Sequence, residues 1–183
     1  MIVLKNENCF DFLPKIKTKS IDLILLDPPY GISRDSNFHI GKNNKFNFSI
    51  DFGNWDKNFD GLKDVIQECY RCLKDSGTII CFYDLFKITI LKAYLEKANF
   101  KQIRFIEWIK TNPVPVNSKA TYLSNAREIA LTAVKKGKST FNSEYDNGVY
   151  KFPICHDKDR FHPTQKPLEL MEALIKNILT KVI

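Results

Sequence analysis

The ten residues Ile21–Tyr30, IDLILLDPPY, decide how the rest of the chain is interpreted. The first six are apolar apart from Asp22, and their length and branching are typical of a strand buried in a parallel sheet. The next four are Asp27, Pro28, Pro29 and Tyr30, and the two prolines fix the backbone where the strand stops. Ligands bind beyond the carboxyl ends of strands in open α/β sheets. The stretch therefore predicts a carboxylate, a rigid turn and an aromatic ring at a functional edge.

The tetrapeptide resembles the catalytic motif of DNA amino-methyltransferases, and this resemblance implies chemistry on the exocyclic amine of a nucleobase. Such an amine is a poor nucleophile because its lone pair is delocalised into the ring. The Asp27 carboxylate and the Pro28 carbonyl would hold both N–H protons and draw the nitrogen toward tetrahedral geometry, while Tyr30 would stack on a base flipped from the duplex. Catalysis would then be mostly positioning and electrostatics. The alternative is a strand-ending turn in which Asp27 serves as a helix cap.

Composition indicates a single globular domain with a polyanionic partner. The chain has 183 residues, 44% of them hydrophobic, which is enough to bury a core. Its net charge of +7 favours contacts with DNA phosphates, although a lysine-rich surface also serves solubility. No apolar run approaches the roughly 18 residues that span a membrane. The five cysteines form no disulfide framework, which indicates a reducing cytoplasm. Cys69 and Cys72 have no second ligand pair at zinc spacing, so no metal is expected.

The hydrophobic periods predict alternating strands and helices. Met1–Leu4 is expected to be a short strand, and Phe59–Leu73 a helix closed by a left-handed cap at Gly77, before a strand over Thr78–Tyr83. Further elements are a helix marked by Ile88, Leu91, Leu95 and Ala98, strands over Lys101–Lys110 and Ala126–Val134, and a helix over Leu168–Leu179. This rhythm predicts an α/β fold with a mostly parallel sheet and right-handed crossovers.

Two basic regions are candidates for DNA contact. Residues 31–58 mix cations with phenylalanines and are expected to form a mobile, DNA-facing loop. The resemblance implies that residues 113–160 carry target recognition, with a solvated charged hairpin as the alternative. The candidate DNA-binding residues are Arg34, Lys42, Lys45, Lys119, Lys135, Lys136 and Arg160.

The second specific signal is RFHPTQKP at Arg160–Pro167. Pro167 suits the first turn of the helix that follows. A helix amino terminus favours a carboxylate, and Lys166 adds positive charge. His162 as a general base is the alternative role for this segment.

The two motifs, with LKDSGTIICF and EWIKTNP between them, resemble the S-adenosylmethionine-dependent DNA amino-methyltransferases. The form is the one usual for adenine-N6 enzymes, in the beta-type order with the catalytic motif first. The resemblance implies a Rossmann-like methyltransferase fold and catalytic roles for Asp27, Pro28, Pro29 and Tyr30. It implies a base pocket formed by Tyr30 and Trp108, although Trp108 also suits a core position. The implied cofactor-binding residues are Asn8, Cys9, Asp27, His162, Thr164, Gln165 and Lys166, with a helix cap as the alternative for Asn8.

One expected feature of the family is absent from this sequence. The seven glycines include no GxG pair, so the glycine-rich cofactor turn is missing. The fold is therefore expected to be incomplete, without the central cofactor-turn strands and with an unpaired apolar edge at Leu23–Leu26. We expect a truncated chain or one half of a split enzyme, with weak binding of S-adenosylmethionine.

The expected partners are double-stranded DNA, a cognate restriction endonuclease, and a complementary C-terminal chain or a dimer mate, in the cytoplasm of a bacterium at its nucleoid. Three alternatives stay open at this stage. One is an inactive remnant that binds DNA or a partner chain. The others are an amino-methyltransferase acting on protein or RNA, and transfer to cytosine N4.

Overall fold

The computed structural model describes residues 2–31, 37–40, 46–49, 59–113, 123–155, 162 and 164–179, with the backbone alone for 37–40 and 46–49. Five strands form one sheet in the order β1-β4-β6-β5-β7, and two further strands form a separate pair. The strands are β1 (Ile21–Leu26), β2 (Asn37–Ile40), β3 (Phe46–Ser49), β4 (Leu73–Tyr83), β5 (Lys101–Lys110), β6 (Arg127–Val134) and β7 (Val149–Phe152). The helices are α1 (Cys9–Phe12), α2 (Leu62–Cys72), α3 (Ile88–Lys97) and α4 (Leu168–Ile178).

Four of the five sheet strands run in the same direction. β1 pairs parallel with β4, and β5 pairs parallel with β7. β6 lies between β4 and β5 and runs antiparallel to both. The expected mostly parallel α/β sheet is confirmed, with one reversed strand. The reversal places the beginning of β6 at the edge where β1, β4 and β5 end.

The sheet is packed between helices on both faces. α2 and α3 cover one face through apolar side chains such as Ile66 and Leu91, which meet Ile79 of β4. α4 covers the other face, where Leu170 and Leu174 pack on residues that include Phe82. Neighbouring residues of β4 enter opposite clusters because side chains alternate across a strand. The layered arrangement fixes β1 and β4 on a buried scaffold below the candidate site.

The helix-to-strand passage around Gly77 differs from the sequence expectation. α2 ends at Cys72, and Leu73 already has extended backbone angles. Gly77 lies inside β4 and is not among the glycines with positive φ, so no left-handed cap forms there. The register slips here, since Ile21 pairs with Leu73 whereas Leu23 pairs with Thr78. A Cβ at Gly77 would lie 3.1 Å from the Ile21 carbonyl oxygen, so the glycine permits close approach of β1 and β4.

The amino-terminal strand expected over Met1–Leu4 is wrong for the residues described. Ile2 and Leu4 are 91% and 90% exposed, and no strand is found there. A strand without a neighbour gains no ladder hydrogen bonds, so this apolar run has nothing to stabilise it in extended form.

The outer edge of β1 is open within the part of the chain described. β1 pairs there with β4 alone, which agrees with the unpaired apolar edge expected at Leu23–Leu26. A groove of about 410 Å³ runs along this edge, between β1 residues such as Leu23 and Leu25 and the end of α4 at Ile175 and Leu179.

The opposite edge strand, β7, is fastened by a glycine and by a polar contact. Gly148 has φ +75°, and a Cβ there would lie 2.5 Å from the Phe105 carbonyl oxygen. Its own carbonyl accepts a hydrogen bond of 2.7 Å from the Glu107 amide. The Asn177 side chain of α4 donates to the Tyr150 hydroxyl of β7 at 2.9 Å. β7 therefore ties α4 to the sheet.

The two regions assigned to DNA contact contain regular structure. Residues 31–58 include the antiparallel pair of β2 and β3, with Phe38 opposite Phe48 in register, so the segment is not a loop throughout. Residues 113–160 include β6 and β7, which belong to the central sheet. Among the helices described, none is long and apolar enough to cross a bilayer. All the described residues together hold no cluster of three or more His, Cys, Asp or Glu suited to a metal ion.

Candidate active site

The site forms where β1 ends and the chain turns through Pro28 and Pro29. Asp27 follows the last residue of β1, and its side chain is 38% exposed. The Tyr30 hydroxyl donates a hydrogen bond of 2.8 Å to Asp27 Oδ1. The strand is half-buried rather than buried as its sequence predicts. A carboxylate that follows such a strand and stays open to solvent is positioned to accept hydrogen bonds from an incoming group.

Lys166 brings the second sequence motif onto the first. Its Nζ lies 2.9 Å from Asp27 Oδ1 and 2.8 Å from Oδ2. The Lys166 side chain is only 6% exposed, and its ammonium also lies 5.1 Å from the centroid of the Phe82 ring and 5.6 Å from that of Tyr30. Such charge-assisted bonds are stronger than neutral ones. The ammonium therefore binds the turn formed by Asp27–Tyr30.

Glu128 completes the charge arrangement and is not singled out by any sequence pattern. Its Oε2 lies 3.0 Å from Lys166 Nζ, and its Oε1 lies 2.7 Å from Lys110 Nζ. The Glu128 side chain is 17% exposed and that of Lys110 is 16% exposed. Asp27, Lys166, Glu128 and Lys110 thus alternate in sign and have no net charge together. Glu128 could have been identified only from the direction of β6. The residue stands at the start of β6, which reaches the site because the strand is reversed.

The ionisation of these groups follows from burial set against pairing. Burial raises the pKa of Glu128, but Lys166 and Lys110 outweigh it, so its pKa lies below the usual value of 4.5. Burial lowers the pKa of Lys166, but Glu128 and Asp27 outweigh it, so its pKa lies above 10.5. Burial, with the neighbouring Asp27 carboxylate, raises the pKa of Tyr30 far above 10.0. Tyr30 therefore remains a hydrogen-bond donor.

The turn that holds Tyr30 is anchored to the end of β4. The rings of Tyr30 and Tyr83 meet edge to face, with centroids 5.8 Å apart and planes at 72°. Lys87 follows β4, and its Nζ donates to the carbonyl oxygens of Tyr30 at 2.7 Å and Gly31 at 3.0 Å. These contacts fix both the ring of Tyr30 and the backbone after it.

The residues that precede α4 form a compact turn. His162 Nδ1 lies 2.9 Å from Thr164 Oγ1, and the Gln165 amide donates to the His162 carbonyl oxygen at 3.1 Å. Thr164 and Gln165 are exposed. Pro167 stands at the cap position of α4, which has no side-chain cap. The turn directs Lys166 to Asp27, whereas the His162 ring is engaged within the turn.

Three predicted site residues have other surroundings. Asn8 caps α1, accepting a bond of 3.0 Å from the Phe10 amide, as in the alternative considered for it. Cys9 is half-buried and packs against the cluster under α2 and α3. Trp108 is 2% exposed, and its Nε1 donates to the Phe152 carbonyl oxygen at 3.0 Å. Trp108 is therefore a core residue, and its assignment to the base pocket is corrected, because no face of the ring is open to a base.

Of the predicted DNA-binding cations, the structure describes two, one of them buried and one exposed. Lys135 is 5% exposed, and its Nζ donates to the Leu73 carbonyl oxygen at 2.7 Å, so it closes the passage from α2 to β4 and is not available to a phosphate. Lys136 is exposed. The remaining candidates lie outside the described residues; they are Arg34, Lys42, Lys45, Lys119 and Arg160.

Known proteins with similar sequences are DNA methyltransferases. The chain matches the DNA methylase family with N6 or N4 specificity over residues 21–181. It is 31% identical to the type II methyltransferase M2.MboI of Moraxella bovis over 188 residues, which cover 92% of this chain and 67% of that protein. It is also 31% identical to the type II methyltransferase M2.DpnII of Streptococcus pneumoniae, covering 95% of this chain and 71% of that protein.

Solved structures of DNA methyltransferases have a similar fold. The crystal structure of an M1.HpyAVI–SAM complex superposes with a TM-score of 0.69 at 27% identity, covering 98% of this chain and 78% of that one. The PvuII cytosine-N4 methyltransferase has a TM-score of 0.70 at 13% identity, covering 94% of this chain and 68% of that one, which supports the fold alone. The fold has one reversed strand, and the DPPY turn lies at the tip of β1. Together with the family match over residues 21–181, these features show that the chain belongs to the N6/N4 DNA methylase family.

Proposed function

We propose that this chain transfers a methyl group from S-adenosylmethionine to the exocyclic N6 of adenine in a short sequence of double-stranded DNA. The observation that carries the proposal is the Asp27 carboxylate, which stands 38% exposed at the tip of β1 with Lys166 and Tyr30 bound to it. A carboxylate has about four acceptor positions. Three are taken by the Tyr30 hydroxyl and by the two contacts with Lys166, which leaves one for a substrate amine.

The amine is held by two acceptors in this mechanism. One N–H would bind the remaining position on Asp27 and the other the Pro28 carbonyl. Hydrogen bonds that draw on both protons localise the lone pair on nitrogen, and the nitrogen then becomes a better nucleophile. Because Asp27 is fixed by two partners, little reorganisation is needed when charge develops on the amine. The gain comes from positioning.

Tyr30 is proposed to stack on the adenine after it leaves the duplex. The ring is fixed by Tyr83 at one edge, and the hydroxyl is fixed by Asp27. A ring that is already immobile loses little conformational entropy when a base stacks on it. Stacking on an aromatic side chain contributes about 1–3 kcal/mol per base.

S-adenosylmethionine is the cofactor of this family, and a structural neighbour of this chain has been solved in complex with it. When bound, it supplies an electrophilic methyl group on a sulfonium. The residues before α4 fit its amino-acid end in chemistry, because Thr164 and Gln165 carry exposed donors beside an uncapped helix amino terminus. Lys166 does not fit the contact expected of it, since Asp27 and Glu128 hold its ammonium. The weak binding expected without a GxG turn stays a prediction, which titration calorimetry measures.

The proposal extends to partners and place of action. The chain would act on nucleoid DNA in a bacterial cytoplasm, beside a cognate restriction endonuclease. Residues 31–58, with cations such as Arg34 and Lys42, would face the DNA, and exposed parts of 113–160 would read its sequence. A complementary chain or a second copy is proposed to cover the open edge of β1.

The test is a methyl-transfer assay with tritium-labelled S-adenosylmethionine on mixed-sequence DNA, followed by digestion to nucleosides. We expect the label in N6-methyladenine. Label in N4-methylcytosine would contradict the adenine assignment. DNA binding with no label in any nucleoside would support the alternative, a catalytically inactive remnant that binds DNA or a partner chain.

A further inference from the structure

Glu128 stands beside the catalytic turn without touching the carboxylate at its centre. Glu128 is the second residue of β6. It reaches the site because β6 runs antiparallel to β4 and β5, so the beginning of β6 lies at the edge where β1 ends. Its two carboxylate oxygens bind different cations, Lys110 at 2.7 Å and Lys166 at 3.0 Å. All three side chains are largely buried, with exposed fractions between 6% and 17%. A buried charge is retained only where partners offset its desolvation, so these positions are mutually dependent.

We propose that Glu128 is a positioning residue for methyl transfer: by holding Lys166, it sets the orientation and the net charge around Asp27. The inference rests on the proposed function and adds a residue to that mechanism. Glu128 acts through Lys166, since its described polar contacts are with the two lysines. Asp27 remains the group that meets the amine.

The charge argument follows from the reaction. The amine lone pair forms the new N–C bond while the electron pair of the broken S–C bond stays on sulfur. The nitrogen then carries a positive charge until one of its protons leaves to water. A site that is neutral overall tolerates this charge, and Asp27, Lys166, Glu128 and Lys110 sum to zero. Without the charge of Glu128, the cluster becomes net positive beside a nitrogen that also becomes positive, and low polarity enlarges the repulsion.

The orientation argument concerns the last acceptor position on Asp27. Lys166 has three N–H donors, and the contact with Glu128 occupies one of them. If Glu128 cannot accept it as a carboxylate, Lys166 is drawn further onto Asp27. Lys166 and the substrate amine then compete for the same acceptor position on Asp27.

The first test compares Glu128→Gln with wild type and with Glu107→Gln. Glu107 lies on the neighbouring strand and pairs with Arg127 at 3.4 Å, so its variant removes a charge of the same sign away from Lys166. We expect Glu128→Gln to lower kcat by about tenfold to a hundredfold with KM for DNA changed less than about twofold. Glu107→Gln should behave like wild type. Equal kcat in wild type and Glu128→Gln would overturn the proposal.

The second test restores the charge balance. Lys110→Met combined with Glu128→Gln returns the cluster to zero net charge, so the double variant should recover part of the rate lost in Glu128→Gln. A purely structural role predicts the opposite, a further loss. If wild type labels no DNA, the proposed function fails. Partial recovery in an active enzyme supports the proposal, and an additive loss refutes it.

A third test is independent of activity. Glu128 and Asp27 share Lys166, so Glu128→Gln and Asp27→Asn should affect the unfolding equilibrium constant non-additively, by at least about threefold in a double-mutant cycle. The cycle is measured by urea unfolding of the four proteins. Additive effects would show that Lys166 does not couple the two carboxylates and would overturn the inference even for an inactive chain.

Discussion

Lys166 Nζ binds both carboxylate oxygens of Asp27, at 2.9 and 2.8 Å, across 139 residues of sequence. The two motifs of the chain therefore meet in one ion pair. Because the Lys166 side chain is nearly buried, its ammonium is held within the turn formed by Asp27–Tyr30.

Asp27→Asn tests the acceptor role. An amide offers one acceptor atom instead of two and places an N–H group near Lys166, so we expect kcat to fall by at least about a hundredfold. DNA affinity, measured by fluorescence anisotropy, should change less than about threefold. Asp22→Asn is the matched control, because Asp22 lies on β1, the strand that Asp27 follows, in an exposed pair with Lys74. Methyl transfer retained in Asp27→Asn would refute the assignment.

Lys166→Met tests the energetic weight of the ion pairs. Removing Lys166 leaves Asp27 without a cation and leaves Glu128 paired with Lys110 alone, so the free energy of unfolding should fall by about 3 kcal/mol in urea titrations near pH 7. Lys176→Met is the control, since Lys176 pairs with Glu172 on the exposed face of α4. That variant should lose less than about 0.5 kcal/mol. Equal losses in the two variants would contradict the prediction.

The pH dependence of stability should report the same pairs. Glu128 has a lowered pKa in the folded chain, so its stabilising effect is complete above its usual value of 4.5 and is lost as the pH falls through the folded pKa. Lys166 has a raised pKa, so its effect is complete below 10.5 and is lost as the pH rises through the folded pKa. The stability advantage of wild type over Lys166→Met should therefore shrink below about pH 4.5 and above about pH 10.5. A constant difference in unfolding free energy from pH 3 to 11 would count against it.

Trp108→Phe separates a core role from a base-pocket role. The variant loses the indole hydrogen bond to Phe152 and some buried volume, so stability should fall by about 1–2 kcal/mol. Below the unfolding temperature, kcat and KM should remain within about twofold of wild type, since the ring does not reach the substrate. A large rise in KM for DNA with unchanged stability would return Trp108 to the base pocket.

Neighbouring lysines allow a paired test of DNA contact. Lys135→Met removes the ammonium that binds the Leu73 carbonyl oxygen, and we expect lower stability with little change in the salt dependence of DNA binding. Lys136→Met removes an exposed cation. If Lys136 contacts a phosphate, the slope of log affinity against log salt falls by about 1. Anisotropy titrations at several salt concentrations measure both, and a slope change in Lys135→Met would contradict its buried role.

Contiguous motifs made Asp27 and Lys166 predictable from sequence, whereas their pairing was not. A helix amino terminus suggests an anion beside Lys166, and the anion turned out to be a side chain distant in sequence. The role of Glu128 was not predictable from sequence motifs, because the residue stands at the beginning of a strand. Only the reversed direction of β6 brings it to the site. Trp108 was placed in the wrong surroundings for a different reason. An aromatic residue near a strand end suits a pocket and a core equally, and only its burial in the structure distinguishes the two.

The strand and helix periods predicted most of the scaffold, and the departures have local causes. Gly77 suits a helix cap by type, but it lies inside β4, where a Cβ would come within 3.1 Å of the Ile21 carbonyl oxygen. The run Ile2–Leu4 has strand-forming residues and lacks a neighbour among the described strands. Periodicity records which residues favour extended backbone, whereas pairing depends on what lies beside them.

Gly148 has a genetic consequence. A side chain there would collide with the Phe105 carbonyl, and the strand that would be displaced carries Tyr150, the residue bound by Asn177 of α4. Loosening α4 would also release Lys166 just before its first turn. A screen for heat-sensitive alleles should therefore recover replacements at Gly148 that abolish modification at the restrictive temperature, because they displace β7 from the sheet.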